Sequence, residues 1–157
     1  MNSDHDEKSA YVCGPLTELA PGIQATVKRF YERIADACQI VTGKRAFVPH
    51  EHYDPIRHAH FTPAQVDETE RRQVCEKTSC LIVVPIAPSW GGGIEVEMAH
   101  RSLVPIIILC EGTKLNQGKI SRLLRGNPSV VATIPYTTKS QALALLETAL
   151  SELLATA

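Results

Sequence analysis

The sequence has almost no net charge, no long apolar run and no paired cysteines, and each shortage removes a class of function. Lysine and arginine number 16 against 17 aspartates and glutamates, a net charge of −1, which leaves no electrostatic footprint for a nucleic acid polymer or an anionic membrane. No apolar stretch approaches the roughly 20 residues of a bilayer crossing, so no membrane association is expected. The opening residues, Met1-Asn-Ser-Asp-His-Asp-Glu-Lys8, are polar and lack the apolar centre of a secretion signal. The five cysteines (Cys13, Cys38, Cys75, Cys80 and Cys110) are odd in number and widely spaced. That pattern excludes a disulfide framework and reads as reduced, buried thiols of a cytoplasmic protein. There is no internal repeat and no low-complexity segment. What remains, 157 residues at 44% hydrophobic and 21% charged, is the composition of one soluble globular domain over residues 1–157, with 1–9 read as a flexible leader.

Strand and helix patterns alternate along the chain. Ala10–Cys13 is a short strand ended by Gly14-Pro15. Gly22–Thr42 places Ile23, Val27, Phe30, Tyr31, Ile34, Ala35 and Cys38 at helical spacing and closes at Gly43. Arg45–Val48 is a second strand halted by Pro49. Thr62-Pro63 is an N-cap with proline at the first helical position, opening a charged helix to about Lys77. Cys80–Ile86 and Pro105–Cys110 are buried strands, with a helix over Gly93–Ser102 between them. Lys119–Arg125 is a short helix, Val130–Pro135 a fifth strand, and Lys139–Leu154 a terminal amphipathic helix. Strands apolar on both faces and separated by helices predict a parallel sheet covered on both sides. Five of them predict a flavodoxin-like α/β three-layer sandwich in the order 2-1-3-4-5.

In that order the topological switch point falls between strands 1 and 3. It brings Gly14-Pro-Leu-Thr17 against Ala87–Glu95, two glycine-bearing turns at the carboxyl ends of their strands. The second turn, Pro88-Ser-Trp-Gly-Gly-Gly-Ile-Glu95, lets backbone N–H groups approach a ligand at a helix N-terminus. With the helix read from Gly93, Glu95 and Glu97 fall in its first turn. There the dipole stabilises the ionised carboxylate that a nucleophile needs. The same spacing also suits two ordinary first-turn charges.

Pro49–Thr62 is the one long irregular stretch, too long for a routine connection and more in keeping with a functional loop. It carries His50, His52, His58 and His60, with Glu51 and Asp54 between. Imidazole and carboxylate suit a transition metal, but no structural zinc spacing is present. A lid over a substrate and plain solvated histidines are the alternatives.

The order strand–Cys-Gly-Pro, strand–Pro-His and Ser89-x-Gly-x-Gly-x-Glu95-x-x-x-Ala99 resembles the nucleoside 2-deoxyribosyltransferase superfamily. It is closest to the branch of the 2′-deoxynucleoside 5′-phosphate N-hydrolases and cytidylate N-glycosidases. The resemblance spans roughly residues 10–135, and the serine-to-glutamate segment is its specific part. It implies a flavodoxin-like fold, Glu95 as the nucleophile on the anomeric carbon, Ser89 at a 5′-phosphate, and Cys13, Gly14 and Pro15 over base and sugar. It also implies a homodimer or larger assembly whose neighbouring chain helps complete the pocket; the helix end at Met98–Leu103, with His100 and Arg101, would lie near it. Two positions depart from the family pattern. Arg72 stands near the place of an aspartate on the helix before the third strand, where Asp67, Glu68 or Glu70 could substitute in another register. Cys80 stands where an aspartate often opens that strand.

These residues together predict an N-glycosidase acting on a nucleoside or nucleoside 5′-monophosphate, with no cofactor and no metal. Glu95 would form a glycosyl ester that water then hydrolyses. His50, His52, Tyr53, Asp54 or Glu97 would assist the departing base, and Ser89 with the Gly91 and Gly93 amides would hold the phosphate. A nucleotide-binding sensor using the same pocket without chemistry is the alternative reading. A metal-dependent hydrolase built on the histidine loop is a third.

Overall fold

The computed structural model describes residues 8–157. Four parallel strands form one sheet in the order β1 (Ser9–Cys13), β2 (Thr78–Val83), β3 (Ile106–Glu111) and β4 (Val130–Tyr136). The register runs Val12–Ile82–Ile107–Ala132 across it. Because both faces are covered, successive residues of one strand enter different cores. Val12, Ile82, Ile107 and Ile134 pack with α1 (Pro21–Thr42) and α7 (Lys139–Ala155). Tyr11, Leu81, Ile106 and Ile108 pack with α3 (Pro63–Lys77) and α4 (Trp90–Arg101) on the other face.

Local chemistry sets the helix ends where the sequence announced them. Gly43 takes the left-handed conformation at φ 77° and its N–H closes on Gln39 O at the end of α1. Thr62 and Gln65 form a reciprocal capping box with Pro63 at the first helical position of α3.

The five-stranded order 2-1-3-4-5 is corrected to four strands. The expected second strand, 45–48, is reduced to one parallel bridge, Phe47 with Tyr11, on the free edge of β1. Two hydrogen bonds make it, Phe47 N–H to Ala10 O at 2.8 Å and Val12 N–H to Phe47 O at 2.9 Å. The physical reason is room: Gly43 turns the chain before it, and Pro49 starts a helix at once after it. That helix, α2 (Pro49–Tyr53), occupies the front of the stretch expected to be irregular. Two further short helices, α5 (Gly112–Asn116) and α6 (Arg122–Arg125), follow β3. The expected flexible leader, 1–9, lies outside the described residues up to residue 7, and Ser9 is already paired in β1.

Candidate active site

The loops after β1 and β2 meet because those strands are neighbours; Val84 N–H bonds Cys13 O at 2.8 Å just where the two chains leave the sheet. A cavity of about 660 Å³ opens above them. Its floor is Gly14-Pro15, its far wall the start of α4, and its roof α2 and the segment after it. Tyr31, on α1, fixes the floor by donating its hydroxyl to Pro15 O at 2.8 Å. It passes so close to Gly14 that a Cβ there would lie 2.2 Å from the phenol oxygen. Any larger residue at 14 therefore requires the Tyr31 hydroxyl to move.

Helix α4 begins three residues earlier than the sequence suggested. Ser89 is its N-cap, with Oγ accepting from Gly92 N–H at 3.1 Å, so all three glycines sit within the first turn. Each glycine is about 1 kcal/mol less favourable in a helix than alanine. At Gly91 and Gly93 an added Cβ would meet nothing within 4 Å, so internal packing does not explain them. Their backbone is left open to the surroundings.

The earlier start moves Glu95 out of the first turn and into the second, and this corrects the dipole argument for its ionisation. Glu95 is instead buried, 8% exposed, on the inner side of α4. Burial pushes its carboxyl above the ordinary range; hydrogen bonding from Cys13 and from Tyr11 pulls the other way without cancelling it. Tyr11 donates its hydroxyl to Glu95 Oε1 at 2.5 Å. Burial, and next the charge of Glu95, push the Tyr11 phenol itself far up, so it stays protonated as the donor. Glu97 projects to solvent beside Arg101.

A second carboxylate reaches the same cavity from α3. Glu70 is half-buried, and desolvation followed by the charge of Glu95 raises its pKa to about 7. Arg72, on the same helix, is exposed and lies alongside Glu68. The helix register therefore brings Glu70 to the nucleophile candidate.

The remaining expected residues divide. Gly14, Pro15, His50, Tyr53, Ser89 and Gly91 line the cavity. His50 is buried, with Nε2 2.9 Å from Glu32 Oε1 and Nδ1 without a partner. His52 lies outside the lining and stacks on Phe47, ring centroids 4.5 Å apart. Asp54 also lies outside it: its carboxylate pairs with Lys28 and accepts the Ile56 and Arg57 N–H groups. Although burial alone would raise it, these bonds hold the Asp54 carboxyl well below the usual carboxylate range. Cys13 and Gly93 line a second cavity, about 810 Å³, on the other side of the α4 N-terminus. The Cys13 thiol, shared between Glu95 and Gly92 O at 3.7 Å, is pushed far up, first by burial and then by the charge of Glu95. Tyr11 was missed by sequence reasoning, because a tyrosine in a buried apolar strand carries no signal of its own.

Among the described residues, one group of metal-type ligands lies together: Glu32, His50 and Glu51, their ligand atoms within 4.8 Å of one another. Arg45 grips both Glu51 oxygens, at 2.6 and 2.7 Å, so the charge there is already met without an ion. All five cysteines are free. No described helix is long and apolar enough to cross a membrane.

No protein-family profile and no curated protein matches the sequence. Solved structures do match. The solution structure of BlsM superposes with a TM-score of 0.64 at 18% identity, over 93% of this chain and 91% of that one. The CMP N-glycosidase BcmB of Clostridium botulinum gives a TM-score of 0.64 at 17% identity, over 90% of this chain and 99% of that one. At these identities the likeness establishes a shared fold.

Proposed function

We propose that the protein is an N-glycosidase that cleaves the bond between base and sugar in a nucleoside or nucleotide. The observation that carries this reading is Glu95: a buried carboxylate, held by a tyrosine hydroxyl and adjoined by a second carboxylate of raised pKa, on the wall of a cavity large enough for a nucleoside. The shared fold with a CMP N-glycosidase supports it.

In the first step a Glu95 oxygen attacks C1′ of the sugar while the bond from C1′ to the base nitrogen breaks, giving a glycosyl ester. Glu70, its proton retained to about pH 7, donates that proton to the departing base. In the second step Glu70, now a carboxylate, takes a proton from water; the hydroxide oxygen bonds C1′, and the Glu95 carboxylate leaves. Two displacements at one carbon give net retention. Tyr11 holds Glu95 and favours its ionised form, which the attack requires. Ser89 and the free amides at the start of α4 face the 5′ end of the sugar.

Self-association belongs to the same reading. Trp90 and Ile94 stand one turn apart on α4, exposed beside the cavity, and Leu103 beyond the helix end is exposed as well. A second copy covering this face would close the open side of the site.

The test is release of free base from a panel of nucleosides and their 5′-monophosphates, followed by chromatography. Wild type should release base from at least one and the Glu95→Gln variant from none. Tight binding with no product from any of them would instead make the pocket a sensor.

A further inference from the structure

The cavity around Glu95 is lined by four carboxylates, Glu18, Asp67, Glu70 and Glu95, and by no lysine or arginine. Asp67 is paired with Arg71 on α3, but Arg71 itself does not reach the cavity. Lys28, which reaches the segment after α2, is occupied by Asp54. The seven residues outside the described part, Met1–Glu7, contain neither lysine nor arginine.

The two histidines of the lining do not make up the deficit. His58 accepts the Asp54 N–H on Nδ1 at 3.0 Å, so that nitrogen has no proton to offer a phosphate. His50 has its Nε2 against the Glu32 carboxylate at 2.9 Å, so that nitrogen is already engaged. On this side the start of α4 offers a helix terminus, equivalent to about half a positive charge, while Lys119 lines the second cavity on its other side. A phosphate monoester near neutral pH carries between one and two negative charges and is ordinarily met by arginine or lysine. Here it would enter a concave space beside the buried Glu95 carboxylate and below the exposed Glu18, where like charges oppose it. A hydroxyl meets none of that opposition. Ser89 Oγ and the Trp90 and Gly91 amides are suited to a neutral 5′-OH, the serine both donating and accepting.

We infer that the substrate is a nucleoside with a free 5′-hydroxyl, neutral or carrying a cationic base, and that nucleoside 5′-monophosphates are excluded. The inference rests on the glycosidase reading of the same site and separates this chain from BcmB, which is named for CMP. Glu18 becomes the selectivity residue. It is exposed at the mouth of the cavity, in the loop that carries Gly14, and its charge faces whatever extends beyond the 5′ carbon.

The experiment uses the full chain and matched pairs: the common ribonucleosides and 2′-deoxynucleosides, each beside its 5′-monophosphate. Binding to Glu95→Gln is followed by the fluorescence of Trp90, the chain's one tryptophan, which stands at the cavity rim. The same pairs are compared by kcat/KM on wild type, in case the variant folds poorly. For every pair that responds, the nucleoside should be favoured by about tenfold or more, the difference shrinking with added salt. Glu18→Arg should narrow or reverse the preference by improving the monophosphate alone. A monophosphate bound or turned over as well as its nucleoside, from whichever subunit its cation comes, would overturn the inference and leave the glycosidase reading standing. Silence from every pair in both assays would overturn the glycosidase reading, and the inference with it.

Discussion

The Tyr11 hydroxyl donates to Glu95 Oε1 at 2.5 Å, joining β1 to α4 across 84 residues of sequence. Tyr11 also stacks on Phe47, ring centroids 5.3 Å apart, so its ring is held independently of the hydroxyl. The phenol is thus a fixed donor aimed at a carboxylate whose burial disfavours charge. Tyr11→Phe keeps the stacking and removes the donor. It should lower kcat by about 10–100-fold, the scale of a hydrogen bond to a charged group. Losing the donor also raises the Glu95 pKa further, so the acid limb of the rate profile should move to higher pH. An unchanged limb would mean that the phenol does not act on Glu95.

Glu70 gives the opposite limb. Its carboxyl is raised to about 7, so activity that needs its proton should fall as pH rises past that value. Glu70→Gln should remove this fall and lower the rate by about 10²–10⁴ for bases that need protonation to leave. A base that departs readily without a proton should be spared. The same shift has a consequence for folding. A carboxyl raised in the folded state contributes stability that is fully present below its unfolded pKa and is lost as pH rises toward 7. Denaturant midpoints of Glu70→Gln, measured from pH 4 to 8, should lack that loss.

Asp54 is expected to matter for stability rather than turnover. Its carboxyl is depressed in the fold, so the stabilisation is present above the ordinary carboxylate pKa of about 4 and disappears as pH falls through the lower folded value. Asp54→Ala breaks the bond to Lys28 and frees two turn amides, which should cost about 2–4 kcal/mol near pH 7. The difference from wild type should narrow in acid. A variant of full stability but no activity would restore Asp54 to the chemistry.

Gly14→Ala places a methyl group on the Tyr31 hydroxyl. The phenol has to leave Pro15 O, and the floor of the cavity moves with it. The expected loss is about 1–3 kcal/mol in stability, the usual scale of overpacking, together with a raised KM. Tyr31→Phe in the same chain should recover part of the stability by making room.

Much of this was legible in the sequence, and the failures have physical causes. Apolar runs such as Ile106–Leu109 announce a doubly covered sheet because both faces are buried. The Gly43 and Thr62-Pro63 signals work because capping is local. The Ser89 cap and the glycines after it are local in the same way, one short stretch. The second strand failed because edge pairing depends on how many bonds the flanking turns allow, and Gly43 and Pro49 allow two. The start of α4 was misplaced because three glycines discourage a helix that the Ser89 cap nonetheless opens. Which carboxylate of α3 faces the site was hidden because that helix buries a single side chain, Val74, leaving no apolar stripe to set its phase. The pairing of Asp54 was hidden because its partner, Lys28, lies 26 residues away.

Glu95 is expected to become covalently bonded to the sugar. Intact-mass and peptide mass spectrometry, after incubation with a 2-fluoro-2-deoxy nucleoside that slows release of the ester, tests it directly. The expected result is one glycosyl adduct per chain, carried by the peptide containing Glu95 and absent from Glu95→Gln. Rapid base release with an adduct on Glu70 or Glu97, or with no adduct and an inverted sugar product, would contradict it.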